Sequence, residues 1–294
     1  MALRVRVAEP TELAAVLALR HTGVDPGLES DAVDADAVHA VACDDDRMVG
    51  AGRLVSSSAE QGHVSRIAVS EAARGQGVDA AVLRFLERAA IHRGHAEVTV
   101  YAQVEDAGLY QRAGYVPVGD QDIEAGVDRQ ELRKSLPVLR AGTDADSAAL
   151  ITLIGDTWSE YPGCVLDIDG EEPWLRAPAS AFAALDGRLW IATVDGSVVA
   201  CAAMKPGGDG VVELKSLYVS AKARRQGLGE LLTDLVEQEA AERGAHRIEL
   251  WSDSRFADAH RLYTRLGYQR LPHTRELHDL SNTTEYAFAK DLEV

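Results

Sequence analysis

The hydrophobic and polar positions of this chain fall into two successive runs of the same order: short strand, helical segment, hairpin, strand, glycine turn, helix, strand, helix, final strand pair. Apolar residues at helical spacing make Leu231, Leu232, Leu235 and Val236 the buried face of a helix from Glu230 to Arg243, with Gly244 as its stop. The same face recurs in a helix from Ala80 to Arg93. Val5-Arg6-Val7 and Val138-Leu139-Arg140 read as opening strands. Helices follow over Thr11 to Arg20 and over Asp146 to Ile154, the second capped by Thr143 with Asp146. Asp45-Asp46 and Asp195-Gly196 are the expected hairpin turns. Helices alternating with strands in this way predict an α/β fold with a mixed sheet in each run.

The two runs are copies. Ile67-Ala-Val-Ser-Glu-Ala-Ala-Arg-Gly-Gln-Gly-Val-Asp79 recurs 150 residues later as Leu217-Tyr-Val-Ser-Ala-Lys-Ala-Arg-Arg-Gln-Gly-Leu-Gly229. The offset holds for Arg93-Gly94 against Arg243-Gly244 and for the strands around Val98 and Ile248. Three extra residues enter the second copy before Leu109-Tyr110 realigns with Leu262-Tyr263. The boundary falls near Arg133 to Pro137, which gives domains over residues 1–135 and 136–294.

Within the second copy, Val211 to Leu232 reads as an apolar strand, a basic turn with two glycines, and a helix start. Free amides and the positive end of the helix dipole at such a place suit a pyrophosphate. There is no Gly-Lys-Ser/Thr ending for a nucleotide loop and no G-x-G-x-x-G for a dinucleotide fold.

Composition narrows the function class. The 294 residues are 46% hydrophobic and 26% charged, with no apolar run of membrane-spanning length. The N-terminus enters strand-like alternation without an apolar signal core, so a cytoplasmic protein is expected. A net charge of -17 disfavours nucleic acid and leaves room for a cationic partner. Residues 1–135 carry 14 Lys and Arg against 22 Asp and Glu, a net of -8, so neither half is set aside as a basic face. Cys43, Cys164 and Cys201 have no metal-ligand or disulfide spacing, and no metal is expected.

The pattern R-x-x-G-x-G at Arg224 to Gly229, followed by Ala259-His-Arg-Leu-Tyr263-Thr-Arg-Leu-Gly267-Tyr268, resembles the GNAT superfamily of acyl-CoA-dependent N-acetyltransferases. The resemblance covers about 150 residues twice, which implies two tandem GNAT folds, each a mixed, mostly antiparallel sheet flanked by helices. It implies acetyl-CoA as co-substrate, with Leu217 and Val219 as strand partners of the pantetheine arm. Arg224, Arg225, Gln226, Gly227, Leu228 and Gly229 then form the phosphate cradle. The first half is similar to the ElaA-type branch through Ala37 to Ala42, Ala102-Gln103 and Glu124 to Leu132. It departs from the pattern at Asp79, which stands where the second copy has Gly229 and brings a carboxylate to the anion site. That half is therefore expected to bind acyl-CoA poorly or not at all.

Amine acetylation needs a neutral amine, a stabilised oxyanion and a proton for the departing thiolate. Glu213, on the strand that carries the acyl chain, is the candidate base, acting through water. Strand alternation puts Glu213, Lys215 and Leu217 on one side and Leu214 and Ser216 on the other. His63 is its counterpart and reads as a base of another kind or as a loop-end surface histidine, the second preferred. By resemblance Tyr263 is the proton donor, with Tyr110 its equivalent, and an amide near Leu217 meets the oxyanion. The stretches Trp158 to Glu172 and His273 to Tyr286 differ from the first copy and carry substrate recognition, acids for a cationic amine and Arg275 for a carboxylate. Cys164 lacks a matched His and Asn, and direct transfer needs no nucleophile. The expected activity is transfer of acetyl to a small-molecule primary amine by the second half. The alternatives are an acyl-CoA-binding sensor or scaffold without chemistry, and two halves active on different amines. Edge strands leave pairing between halves or a homodimer open.

Overall fold

Each copy begins by tying an arginine to an acid six residues further on. In the first, β1 (Leu3–Val7) supplies Arg6, whose guanidinium donates to both Glu12 oxygens at 2.6 and 2.8 Å. In the second, β8 (Val138–Ala141) supplies Arg140, which donates to both Asp146 oxygens at 2.9 and 2.6 Å. Asp146 also accepts the Thr143 N–H at 2.8 Å, closing the expected capping box around a 3-10 turn that leads into the helix.

The computed structural model describes residues 3–21, 36–124 and 127–292. Residues 125 and 126, within the stretch that carries the ElaA-type resemblance, lie outside the described residues. The chain divides into two units, Met1–Val138 and Leu139–Val294. After β1 the first unit contains α1 (Leu13–His21), β2 (Val38–Asp44), β3 (Arg47–Ser56), β4 (Gln61–Val69), α2 (Val78–His92), β5 (Glu97–Gln103), α3 (Ala107–Arg112), β6 (Val116–Glu124) and β7 (Val127–Ser135). After β8 the second contains α4 (Ser147–Ser159), α5 (Pro178–Ala183), β9 (Arg188–Val194), β10 (Ser197–Gly208), β11 (Val211–Val219), α6 (Leu228–Glu242), β12 (Arg247–Asp253), α7 (Ala257–Arg265), β13 (Gln269–Glu276) and β14 (Thr284–Asp291). No helix among the described residues is long and apolar enough to cross a membrane.

The sheets have matching orders, β1-β2-β3-β4-β5-β7-β6 and β8-β9-β10-β11-β12-β14-β13. The fold is α/β, two tandem units each with a mostly antiparallel seven-stranded sheet flanked by helices, as the sequence predicts. β4 with β5 and β11 with β12 pair in parallel, and each such pair is bridged by a crossover helix, α2 or α6. Both parallel ladders are short. β11 meets β12 only from Val211 to Leu214, and beyond that its β12-facing edge has no strand partner among the described residues.

Two details differ from the sequence reading. α6 starts at Leu228 rather than Glu230, because Gly227 takes a left-handed φ of 87° as its N-cap and frees the next two residues to be helical. On β11, two residues, Ser216 and Leu217, face Ala202 of β10 alone, and Ser216 has a φ of 53°. This bulge interrupts the two-residue alternation, so Leu217 does not simply continue the side of Glu213 and Lys215. Arg66 has a φ of 54° at the matching bulge of the first unit.

The glycine-tyrosine pair near the end of each copy is structural. Tyr115 and Tyr268 are buried, and each lies beside a lysine–glutamate ion pair joining the crossover helix to the sheet. These pairs are Lys134 with Glu87 at 2.9 Å and Lys290 with Glu237 at 2.7 Å. Of the helix residues expected in the core, Leu231, Leu232 and Val236 are buried, while Leu235 is half-buried at the rim of the face.

The arginine staples give the protein an acid-sensitive element. The hydrogen bond from Arg140 holds the Asp146 carboxyl down to about 2, although burial works the other way. Its stability contribution is therefore complete above the unfolded aspartate value of about 3.9 and is lost as pH falls through about 2. Asp146→Asn should cost about 1 kcal/mol at pH 7 and flatten the pH dependence of the urea midpoint between pH 4 and 2. Unchanged midpoints across that window would count against the staple.

Candidate functional site

The glycine turn is built from residues that the chain holds in place. Arg224 donates from Nε to the Val219 carbonyl at 3.0 Å and grips Glu160, at the end of α4, at 2.5 and 2.7 Å. Its charge is thus committed to anchoring the turn. Arg225 is exposed at a left-handed φ of 66°, where the first copy has Gly75. Gln226 donates back to the Lys222 carbonyl at 3.3 Å. Leu228 is buried, and Gly229 sits in the first turn of α6, where an added Cβ would lie 2.9 Å from Leu262 Cδ2. The helix-start amides of Leu228 and Gly229 have no earlier turn to bond to. Leu217 and Val219 lie half-buried on the unpaired part of β11.

Next to that strand is a cavity of about 140 Å³. Its floor is Glu213 to Tyr218 of β11, and its walls include Trp158, Glu172, Trp251, Asp253, Tyr263 and Glu285. Two of the sequence-expected residues, Glu213 and Tyr263, therefore share it with Leu217. Burial pushes the Tyr263 phenol well above its ordinary value, so it stays protonated. Its ring packs on Tyr268 and Phe288. Glu213 is held in an ion pair with Lys205 at 3.0 Å, with Lys215 further off at 3.9 Å.

The stretches expected to recognise substrate form the cavity walls. Arg255 clamps them: it donates to both Asp253 oxygens and reaches the Ser281 carbonyl and Thr283 Oγ1. Ser281 Oγ accepts the Val165 N–H at 2.8 Å, tying the two stretches together. Arg275 is paired with Glu285 and lies 4.4 Å over the Trp251 ring, so its charge is already spoken for, contrary to its expected role as a carboxylate receptor. Cys164 is half-buried, and burial raises its thiol above the ordinary value, which disfavours the thiolate a nucleophile requires. No group of His, Cys, Asp and Glu that could hold a metal occurs among the described residues.

Sequence reasoning missed Tyr218. Its buried hydroxyl accepts the Trp158 indole N–H at 3.1 Å, and burial with nearby Glu172 pushes its phenol well up. The contrast between copies carried the signal, since Ala68 is the matching residue. It also missed the purpose of Cys201, whose buried thiol donates to the Ser216 carbonyl at 3.2 Å and supports the bulge.

Comparison with known proteins bears on both halves. Residues 151–268 match the Acetyltransferase (GNAT) family, and residues 24–136 match an Acetyltransferase (GNAT) domain. The chain belongs to the GNAT acetyltransferase family. An uncharacterized acetyltransferase of Streptococcus pyogenes serotype M1 is 27% identical over 118 residues, 40% of this chain and 82% of that protein. The uncharacterized N-acetyltransferase YjcF of Bacillus subtilis is 28% identical over 107 residues, 36% of this chain and 76% of that one. A GNAT-family acetyltransferase structure from Staphylococcus aureus Mu50 aligns at 17% identity and a TM-score of 0.47, over 53% of this chain and 99% of that chain.

Acyl-CoA-dependent acetyl transfer is the general activity of GNAT acetyltransferases, on amines of small molecules or of proteins. The second turn of this GNAT protein has the left-handed Gly227 as N-cap and first-turn amides of the kind a diphosphate can accept from, while the missing Cβ at Gly229 makes room for Leu262. In the first turn Gly77 is left-handed as well, but the Asp79 carboxylate accepts the Ala80 N–H at 2.8 Å. It thus takes up a helix-start amide and sets a negative charge there. His63 is also not a loop-end surface histidine. It lies half-buried in β4 with Nδ1 3.2 Å from Thr99 Oγ1, and burial lowers its proton affinity.

Gly229→Asp should therefore weaken acetyl-CoA binding to the full chain at least about tenfold, from charge repulsion and the displaced Leu262. Titration calorimetry reads this directly, and wild-type affinity in the variant would refute the assignment of the turn.

Proposed function

We propose that the C-terminal half, residues 136–294, moves acetyl from acetyl-CoA directly to a primary amine of a small molecule in the cytoplasm. The N-terminal half, residues 1–135, is a GNAT-like domain without this chemistry. The observation that carries the reading is the joining of three features in one unit: the glycine turn, the open edge of β11, and a cavity ringed by carboxylates that holds a protonated phenol.

An alkyl amine has a pKa of about 10.4 and arrives as ammonium, which the carboxylates of the cavity attract. The commitment of Arg275 to Glu285 favours an amine without a carboxylate of its own. The donor supplies an activated acyl group; the protein holds the reacting partners and manages protons. Leu217, and Val219 apart from its carbonyl, which Arg224 takes, offer backbone groups along the open strand edge, and an amide near Leu217 meets developing negative charge on the acyl oxygen. Tyr263 keeps a proton ready for the departing sulfur. Glu213, gripped by Lys205, fits a fixed charge beside the amine better than a free proton acceptor.

A second reading, acyl-CoA sensing or bracing without chemistry, has a specific observation in its favour only in the N-terminal half, where Asp79 occupies the turn.

Thiol release from acetyl-CoA with a panel of small amines tests the first reading. Wild type should turn over at least one amine. Tyr263→Phe should lower kcat about 10²-fold while leaving acetyl-CoA affinity within about threefold. Absence of turnover on every amine, despite tight cofactor binding, would sink the catalytic reading.

A further inference from the structure

Six carboxylates line the cavity, and among the described residues only the exposed Glu171 and the half-buried Glu172 have neither an ion pair with a lysine or arginine nor a bond from Thr283; Glu172 is the more shielded of the two. Glu213 is paired with Lys205, Asp253 with Arg255 and Glu285 with Arg275, and Asp279 accepts the N–H and hydroxyl of Thr283. Glu172 forms no ion pair with a lysine or arginine among the described residues. Its carboxylate accepts the indole N–H of Trp174, two residues on. That indole is fixed in turn by edge-on packing against the buried Phe182, with 5.2 Å between ring centroids. The side chain of Glu172 is therefore held by a neutral donor, lines the cavity, and keeps oxygen lone pairs for a visitor.

We propose that Glu172, rather than Glu213, takes the proton from the ammonium group of the acceptor amine. This rests on the acetyltransferase reading of the cavity. In the step, an N–H bond of the ammonium breaks and an O–H bond forms on the Glu172 carboxylate. The freed nitrogen lone pair makes the C–N bond as the acyl C–S bond breaks, and the phenolic proton of Tyr263 goes to the sulfur. The second nitrogen proton returns to Tyr263, and Glu172 releases its own to solvent, so one ammonium and one thioester give one amide, one thiol and one proton.

The surroundings suit the task. Burial raises the Glu172 carboxyl above the ordinary range, Trp174 and Lys215 pull it down, and Glu171 and Glu285 push it up. Glu213 and the protonated Tyr218 line the same cavity from β11. A carboxylate raised toward neutrality is better matched to receive a proton at working pH than one at its ordinary value. An arriving ammonium ion would favour its ionised form, so any proton that Glu172 holds is released as the amine binds.

That release can be measured without turnover. Calorimetric titration of the full chain with 1,4-diaminobutane, in buffers of different ionisation enthalpy, should register proton release in wild type and in Glu213→Gln but none in Glu172→Gln. In thiol-release assays Glu172→Gln should lower kcat/KM about 10²-fold at pH 7 and remove the acidic limb of the profile. Glu172→Asp should restore part of both, and Glu213→Gln should raise KM more than it lowers kcat. Unchanged melting temperatures exclude unfolding as the cause. The assignment falls if Glu172→Gln keeps the proton release and the acidic limb, or if Glu213→Gln alone abolishes both. A wild type that releases protons on binding the diamine but turns over no amine would instead sink the acetyltransferase reading, and with it the catalytic role of Glu172.

Discussion

The parting of β11 from β12 after Leu214 is the constraint on which the second unit depends. A strand that loses its neighbour leaves a row of N–H and C=O groups, and such groups, when shielded from water, cost free energy until something pairs with them. The chain does not close the gap with another strand. β12 continues into pairing with β14, while β11 bends at the bulge of Ser216. A non-glycine residue in the left-handed region costs about 1–2 kcal/mol, and both copies accept that cost at the same place, with Arg66 in one and Ser216 in the other. Two side chains with nothing in common hold the same strained backbone, so the strain follows the shape of the cleft rather than the identity of the residue.

Much of this architecture is visible in the sequence because it rests on local rules. Helical spacing, the Thr143–Asp146 capping pair and the turns at Asp45 and Asp195 all express preferences that a short window contains, and the 150-residue offset shows by direct comparison of two stretches. The bulge does not. Strand alternation through Glu213, Lys215 and Leu217 looks uninterrupted, and only the register against β10 reveals the extra residue. Helix α6 likewise gains its first two residues from the left-handed Gly227, a backbone choice that a glycine permits without announcing.

The candidate site was legible as a set of stretches and much less as a set of roles. Glu213 and Tyr263 do reach one cavity with Leu217. What sequence could not give was which charges are already engaged, because the partners are distant along the chain: Lys205 for Glu213, Glu160 for Arg224, Glu285 for Arg275. An ion pair across strands depends on register, and register is a property of the folded sheet. The acidic character of the whole chain is therefore a poor guide to the site. Four of the six cavity carboxylates are tied by cations or by Thr283, and of the two that are not, Glu171 is exposed and Glu172 is half-buried.

The two turns show how little separates a usable anion site from a closed one. Both have a left-handed glycine as N-cap, at Gly77 and Gly227, and both lead into a fifteen-residue helix, α2 or α6. The helix dipole and the first-turn amides are thus the same in each. The first turns differ in their side chains, Val78, Asp79 and Ala80 in one and Leu228, Gly229 and Glu230 in the other, so each holds one acid at a different position. At Gly229 the space belongs to Leu262, and the amides are left to a ligand. At Asp79 a carboxylate fills the position and takes the amide of Ala80; burial, Asp106 and, least, Asp79 raise the Tyr110 phenol to about 12. An internal anion of this kind competes for the donors an external one would use and repels it at close range. In the first unit one of the helix-start amides, that of Ala80, is thus already taken from within.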